Sequence, residues 1–117
     1  IARRRSRRGN PAAAYSPWHH GSMKHPCVYI LASARNGTLY VGVTSNLPGR
    51  VWQHKNDVLE GFTRKYQVHD LVWYEAHDTM ESAIGREKQL KAGSRARKIA
   101  LIEAMNPAWR DLFDDIG

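Results

Sequence analysis

A β-hairpin pattern is the feature of this sequence that most restricts its fold. One run rich in Val, Ile, Leu and Tyr begins at Cys27, and a second run of the same kind covers residues 38–44. Between them stands Ala34-Arg35-Asn36-Gly37. Apolar runs on either side of a short turn segment are typical of two paired antiparallel strands. The sequence therefore predicts a hairpin.

The register of this hairpin follows from the need to bury one of its faces. Opposed residues in an antiparallel pair share a face, and their numbers sum to a constant that the loop sets. An odd sum gives a wholly apolar face with Val28, Ile30, Leu39, Val41 and Val43. Burial selects this register, so Tyr29 and Tyr40 are predicted together on the other face, beside Gly42. Glycine inside a strand often marks a close approach, and the alternative is that the two tyrosines only cover the sheet, with their hydroxyls in water.

The remaining signals predict one more strand and three helices. They are a helix from a cap at Ser45 or Asn46 to about Asn56, a loop around Gly61, a strand over 71–74, a helix from the capping signature at 78–81 to about Lys91, and a helix from Ser94 to Met105. The predicted order is β-β-α-β-α-α. We expect an α+β fold, a three-stranded antiparallel sheet with flanking helices.

Length, cysteine content and hydropathy restrict the class of protein. The chain has 117 residues, of which 42% are apolar and 25% charged, and this fits one globular domain. The one Cys cannot form an internal disulfide, and no apolar run approaches the roughly 18 residues that a membrane span needs. We therefore expect a cytoplasmic protein with no membrane partner, and the oligomeric state stays open.

The positive charge is concentrated at one end of the chain. The formal net charge is +7, but residues 1–22 hold five of the 18 Lys and Arg residues and no acid. The other 13 basic residues face 11 acidic ones in residues 23–117, so that part carries only +2. We predict a basic disordered tail over 1–22 and a domain over 23–117, with Met23 as the natural start. The favoured origin of the tail is a tag or cloning residue, and an arginine arm that grips phosphates is the alternative.

Two polar side chains fall on the inward face of the first predicted helix. Arg50 and His54 lie within one arc of that helix, together with Leu47 and Val51. A histidine in such a position is commonly a packed structural residue. An arginine one turn before it on the same face, however, calls for an anionic partner such as a phosphate or a carboxylate.

The second predicted helix carries a carboxylate inside its apolar stripe. The stripe consists of Met80, Ala83, Ile84 and Leu90. Glu87 lies within it, and burying an unpaired carboxylate costs several kcal/mol. Glu87 therefore needs a cation, which can be Arg50, a lysine or a metal ion. A structural Glu87–Arg50 ion pair and a catalytic role both agree with the pattern.

A basic segment joins the last two predicted helices. Its residues are Arg86, Lys88, Lys91, Arg95, Arg97 and Lys98. Such charge is ordinarily a solvated face, and phosphate contacts are the functional alternative.

Taken together, these motifs resemble a known family of nucleases. Val28-Tyr29-Ile30 followed by Tyr40-Val41-Gly42 resembles the two-part signature of the GIY-YIG nucleases. The resemblance continues through Arg50 and His54 and then through Arg86-Glu87-Lys88-Gln89-Leu90-Lys91. It covers about residues 25–105, and its order and spacing are similar to those of the small single-domain bacterial members.

One departure from the family pattern follows the glutamate. Many members carry an Asn or a similar polar residue at the place where this chain has Ile99 to Ile102. Asn106 comes too late in the chain to take that place.

The resemblance implies metal-dependent hydrolysis of a phosphodiester in DNA. By position in the motifs, Tyr29 and Tyr40 line the site, Arg50 holds the scissile phosphate and His54 assists proton transfer. Glu87 binds one divalent cation, Mg²⁺ or Mn²⁺. The expected function is an endonuclease with little sequence specificity, and whether its DNA is single-stranded, duplex or branched stays open.

The residues leave the general base and the rival functions undecided. The unperturbed pKa of tyrosine is about 10, so a tyrosine base at neutral pH needs nearby cations or a histidine that relays the proton. Tyr29, Tyr40 and His54 are therefore all candidates for the base. The alternatives to an enzyme are a non-catalytic nucleic-acid-binding module of the same fold and a protein-interaction domain in which Glu87 and Arg50 form only an ion pair.

Overall fold

Three strands and five helices make up residues 25–116, the part of the chain that the computed structural model describes. They are β1 (Cys27–Ala32), β2 (Leu39–Thr44), α1 (Leu47–Lys55), α2 (Phe62–Lys65), β3 (Asp70–Ala76), α3 (Met80–Ala92), α4 (Arg95–Met105) and α5 (Phe113–Ile116). The predicted α+β class is confirmed. Two four-residue helices are additional. The loop predicted around Gly61 is present at Gly61 itself, but α2 begins directly after it, and α5 was not expected. The tail predicted over 1–22 lies outside the described residues.

The three strands form an antiparallel sheet with the order β2-β1-β3. In the hairpin Val28 pairs with Val43 and Tyr29 with Gly42, so the numbers sum to an odd constant, as burial of the apolar face predicted. The register of β3 against β1 shifts between Ile30 and Leu31. This irregularity makes Val72 an extra residue on β3.

The sheet is buried on both faces, which is why every residue of β1 is buried. One face packs with α1 and the C-terminal segment in a core of Cys27, Tyr29, Leu31, Leu47, Val51, Val68, Leu71, Leu112 and Ile116. The other packs with α3 and α4 in a core of Val28, Ile30, Ala32, Val41, Val72, Trp73, Ala83, Leu90, Ile102 and Trp109. Tyr29 therefore belongs to a core and does not cover a wet sheet face. No helix among residues 25–116 is both long and apolar enough to cross a membrane.

Side-chain caps fix where the three longer helices begin. Asn46, one of the two predicted caps of α1, accepts a hydrogen bond from the Gly49 amide at 3.2 Å. Thr79 caps α3 and Ser94 caps α4 in the same way. Each cap satisfies one of the amide groups that a helix start leaves without an intrahelical partner. These caps hold α1 and α3 in the positions from which their side chains reach the edge strand β2.

The side chain of Asn106 joins the C-terminal segment to β3 through hydrogen bonds. It is buried, and its Nδ2 donates to the Val72 carbonyl at 3.2 Å and to the Arg110 carbonyl at 2.7 Å. Its Oδ1 accepts from the Arg110 amide at 3.0 Å. Asn106 is therefore a structural residue, in agreement with its late place in the chain.

Candidate active site

On the face of the sheet that packs with α1, a chain of hydrogen bonds links β1, α1 and α2. The Tyr29 hydroxyl lies 3.0 Å from His54 Nε2, and His54 Nδ1 lies 2.9 Å from Thr63 Oγ1. All three side chains are buried. Both ring nitrogens of His54 are thus engaged, so the orientation of the imidazole is fixed.

Gly42 makes room for the Tyr29 ring. A Cβ atom at Gly42 would lie 2.4 Å from both Cζ and the hydroxyl oxygen of Tyr29. The ring crosses the edge strand at this point because Tyr29 and Gly42 are directly paired. The close approach predicted for this glycine is therefore to Tyr29 itself, whose hydroxyl contacts His54 instead of water.

Tyr40 begins a row of aromatic rings that leads from His54 to the surface. Its ring centroid lies 5.4 Å from that of His54 and 6.1 Å from that of Phe62, and Phe62 lies 4.8 Å from Tyr66. Phe62 is 45% and Tyr66 46% exposed. A cavity of about 340 Å³ opens beside this row and is lined by Leu39, Tyr40, Val41, Phe62, Lys91 and Lys98.

Arg50 brings a positive charge to the Tyr29 hydroxyl. Burial raises the pKa of Tyr29 well above its usual range, with Tyr40 and Glu87 adding to the rise, while the charge and hydrogen bond of Arg50 oppose it. Tyr29 is therefore protonated at neutral pH. Among the described residues Arg50 forms no ion pair with a carboxylate, so its half-buried guanidinium has capacity for an anion.

His54 is neutral at physiological pH. Burial first, then the charges of Arg50 and His69, lower its pKa from 6.5 to about 4. A neutral imidazole carries one N–H and one lone pair, so it can accept a proton at one nitrogen while it donates from the other.

Glu87 lies on α3, close enough to Tyr29 for its charge to raise the pKa of that hydroxyl. It lies on the same line of α3 as the buried Ala83 and Leu90, and its side chain is only 16% exposed. Ile84, which the sequence placed in the apolar stripe, is instead exposed. The carboxylate pairs with Lys91 Nζ at 3.1 Å, one turn along the helix. The Glu87–Arg50 ion pair, which was one structural alternative, is therefore not the pairing that the protein adopts.

The five predicted site residues gather at the β2 edge of the sheet. Tyr29, Tyr40 and His54 contact one another through their rings, and Arg50 and Glu87 lie close enough to influence the pKa of Tyr29. In residues 25–116 no group of three or more His, Cys, Asp and Glu side chains is placed to hold a metal ion.

The sequence did not reveal the contribution of α2. Phe62 and Thr63 lie in the segment predicted as a loop, and four residues are too few to show a helical period. The one available signal was that an inward-facing imidazole needs a partner for its second nitrogen, and this does not say which residue supplies it. Lys91 and Lys98 were visible only as members of a basic segment.

Comparison with known proteins finds a family profile and several relatives that match this chain. The family profile of the GIY-YIG catalytic domain matches residues 25–100. A UPF0213 protein of Natronomonas pharaonis is 40% identical over 77 residues, which cover 64% of this chain and 87% of that protein. UPF0213 proteins of Staphylococcus saprophyticus and Pediococcus pentosaceus are 32% and 33% identical over 75 residues, which cover 64% of this chain and 90% and 78% of theirs. No solved structure gives a significant match.

Proposed function

The chain belongs to the GIY-YIG family, and on this basis we propose that it is a divalent-metal-dependent endonuclease that hydrolyses phosphodiester bonds in DNA with little sequence specificity. The observation that carries this proposal is the buried Tyr29–His54–Thr63 chain of hydrogen bonds beside Arg50, a guanidinium that pairs with no carboxylate within residues 25–116. A proton acceptor next to a free anion-binding group is what phosphodiester hydrolysis requires.

Arg50 is the proposed ligand of the scissile phosphate. A guanidinium presents a planar fork of donors that matches two phosphate oxygens, and it stays charged at any physiological pH. A phosphate bound to Arg50 would lie next to the proposed proton-accepting pair, because Arg50 is close enough to the Tyr29 hydroxyl to lower its pKa.

Tyr29 and His54 together are the proposed general base. With Nδ1–H donated to Thr63 Oγ1, His54 Nε2 accepts the Tyr29 hydroxyl proton. A substrate phosphate on Arg50 would bring the attacking water to the Tyr29 hydroxyl. As the water oxygen bonds to phosphorus, the water proton passes to Tyr29 and the Tyr29 proton to His54. The phosphorus bond to the leaving oxygen breaks, and the leaving oxyanion takes a proton from solvent. A phosphate on Arg50 offsets the positive charge that helps lower the pKa of His54, so substrate binding makes His54 a better base.

Thr63 is the proposed positioning residue for His54. Its hydroxyl lies within hydrogen-bond distance of His54 Nδ1, and when it accepts from Nδ1–H the Nε2 lone pair faces Tyr29. Tyr40 packs against the same imidazole and lines the cavity where substrate would enter.

Glu87 is the proposed metal ligand, and its setting fits a hard divalent cation. GIY-YIG nucleases are generally divalent-metal dependent, and Mg²⁺ commonly takes one or two protein carboxylates and fills its other positions with waters and phosphate oxygens. The carboxylate is mostly buried and its one ion pair is to Lys91, a half-exposed lysine that can move into solvent. A bound Mg²⁺ or Mn²⁺ would neutralise charge on the phosphate and on the leaving oxygen.

The Glu87–Lys91 pair also favours a second candidate function. A carboxylate that a lysine already neutralises is what a non-catalytic nucleic-acid-binding module of this fold would keep. The protein-interaction alternative required a Glu87–Arg50 pair and loses that support.

A cleavage assay on DNA of three kinds separates these functions. End-labelled single-stranded, duplex and branched DNA are incubated with the protein in Mg²⁺, in Mn²⁺ and in a chelator. We expect cleavage of at least one substrate only with metal, loss by orders of magnitude in Arg50→Ala, and no loss in Arg110→Ala, whose exposed guanidinium pairs with Asp115. DNA binding without cleavage in either metal would instead support the non-catalytic module.

A further inference from the structure

The groove between α3 and α4 is a second basic cavity of the molecule. It encloses about 320 Å³, and its lining includes Arg86, Leu90, Arg97, Lys98, Ala100 and Leu101. None of these residues belongs to the hydrogen-bond chain of Tyr29. The groove therefore needs an explanation of its own.

Two of its three cations have no carboxylate partner in the part of the chain that the structure describes. Arg86 donates to Glu75 at 3.1 Å and to Gln89 at 2.6 Å, so its charge is already matched. Arg97 is exposed and, within residues 25–116, neither it nor Lys98 forms an ion pair. The Lys98 ammonium donates to the Gly93 carbonyl at 3.2 Å, which holds it at the groove. The groove thus offers two cations to an anionic ligand.

The rest of the lining carries no charge. Apart from Gln89, which accepts from Arg86, and Gly93, it is apolar and favours a ligand with an uncharged part. Leu90 is buried, Leu101 is half-buried and Ala100 adds a small side chain. A volume of about 320 Å³ lies at the lower end of small-ligand pockets. One phosphate with its sugar and base matches both the charge and the size.

Lys98 connects this groove to the candidate active site. Its side chain lines both the α3–α4 groove and the cavity beside Tyr40, which Lys91 also lines. We propose that the groove holds a nucleotide that flanks the scissile phosphate, with its phosphate on Arg97 and Lys98 and its sugar and base against the apolar wall. The inference rests on the proposed function and extends it to the path of the substrate strand.

The salt dependence of DNA binding tests the groove without any cleavage. A labelled oligonucleotide is titrated with protein in a chelator over a series of NaCl concentrations, for wild type, Arg97→Ala and Lys98→Ala. The matched control is Lys88→Ala, an exposed lysine on α3 that does not line the groove. Each groove variant should bind several-fold more weakly at low salt and lose roughly one from the slope of log K against log salt, and Lys88→Ala should keep both. Equal slopes in all four proteins would overturn the proposal.

Two further binding measurements test the groove: one uses a variant with an added carboxylate, and the other uses a mononucleotide as competitor. Ala100→Glu adds a carboxylate to the wall without removing a contact, and it should also weaken oligonucleotide binding. A deoxynucleoside monophosphate should compete only weakly, and tight mononucleotide binding with no effect of these variants on oligonucleotides would mark a free-nucleotide site instead. If the protein cleaves DNA but Arg97→Ala and Lys98→Ala do not change oligonucleotide binding, the groove proposal alone is rejected. If both variants weaken oligonucleotide binding but the wild-type protein does not cleave DNA, the groove proposal stands and the nuclease proposal is rejected.

Discussion

At the scale of single residues, the site depends on how His54 is buried. Its two ring nitrogens face Tyr29 and Thr63, and its pKa of about 4 keeps it uncharged. A neutral buried histidine costs stability in acid, because the unfolded chain gains a proton there and the folded protein does not.

The low pKa of His54 predicts the direction in which the stability of the folded protein changes with pH. Between about 6.5, the ordinary pKa of His54, and about 4, stability should fall as the pH falls. The full difference corresponds to roughly 3 kcal/mol. Chemical denaturation at about pH 7 and about pH 4 should show a larger loss for wild type than for His54→Gln, since the carboxylates titrate in both. An equal loss in the two proteins would contradict the low pKa.

Thr63 can be separated from a merely structural residue by its effect on the pH–rate profile. Thr63→Val keeps the side-chain shape but leaves His54 Nδ1 without a partner in a buried site. We expect cleavage to fall by roughly ten-fold or more and the acid limb of the pH–rate profile to move. Thr63→Ser restores the hydroxyl and should restore both. A Thr63→Val protein with an unmoved acid limb would mean that Thr63 does not tune His54.

At the scale of elements, replacing glycine by alanine should have opposite effects on stability in β2 and in α3. Gly42→Ala puts a methyl 2.4 Å from the Tyr29 ring, and Gly85→Ala has nothing within 4 Å. The first change should destabilise the protein by about 1–3 kcal/mol and reduce cleavage by displacing the hydroxyl of Tyr29. The second should stabilise α3 by about 0.5–1 kcal/mol. Urea denaturation of the two variants checks both signs, and a neutral Gly42→Ala would refute the contact.

The longer elements could be predicted from sequence because each carries its own local signal. The hairpin register followed from parity, and the α1, α3 and α4 starts followed from their capping residues. The four-residue helices α2 and α5 have no period to detect. The Thr63 contact with His54 depends on tertiary packing, which no local pattern encodes. The Glu87–Lys91 pair has the i,i+4 spacing of a local helix pair, but whether Arg50 reaches Glu87 depends on how α1 and α3 pack.

At the scale of the whole molecule, the candidate site lies where two layers meet at a sheet edge. α1 covers one face of the sheet and α3 the other, and both reach the edge strand β2. Residues 23–117 carry a formal charge of only +2 of the chain's +7, so the net charge of this part is too small to attract a polyanion strongly. Local groups such as Arg50, Arg97 and Lys98 would have to supply the attraction.

The cleavage rate of Glu87→Gln tests the central claim, that this edge is a metal-dependent nuclease site. The change keeps the side-chain volume and removes the charge. Its ion-pair partner Lys91 is 53% exposed and can be solvated, so the free energy of unfolding should change by less than about 1 kcal/mol. Under single-turnover conditions in Mg²⁺ or Mn²⁺, cleavage of labelled DNA should fall by at least about 100-fold at unchanged stability. A Glu87→Gln protein that cuts DNA at the wild-type rate would contradict the account.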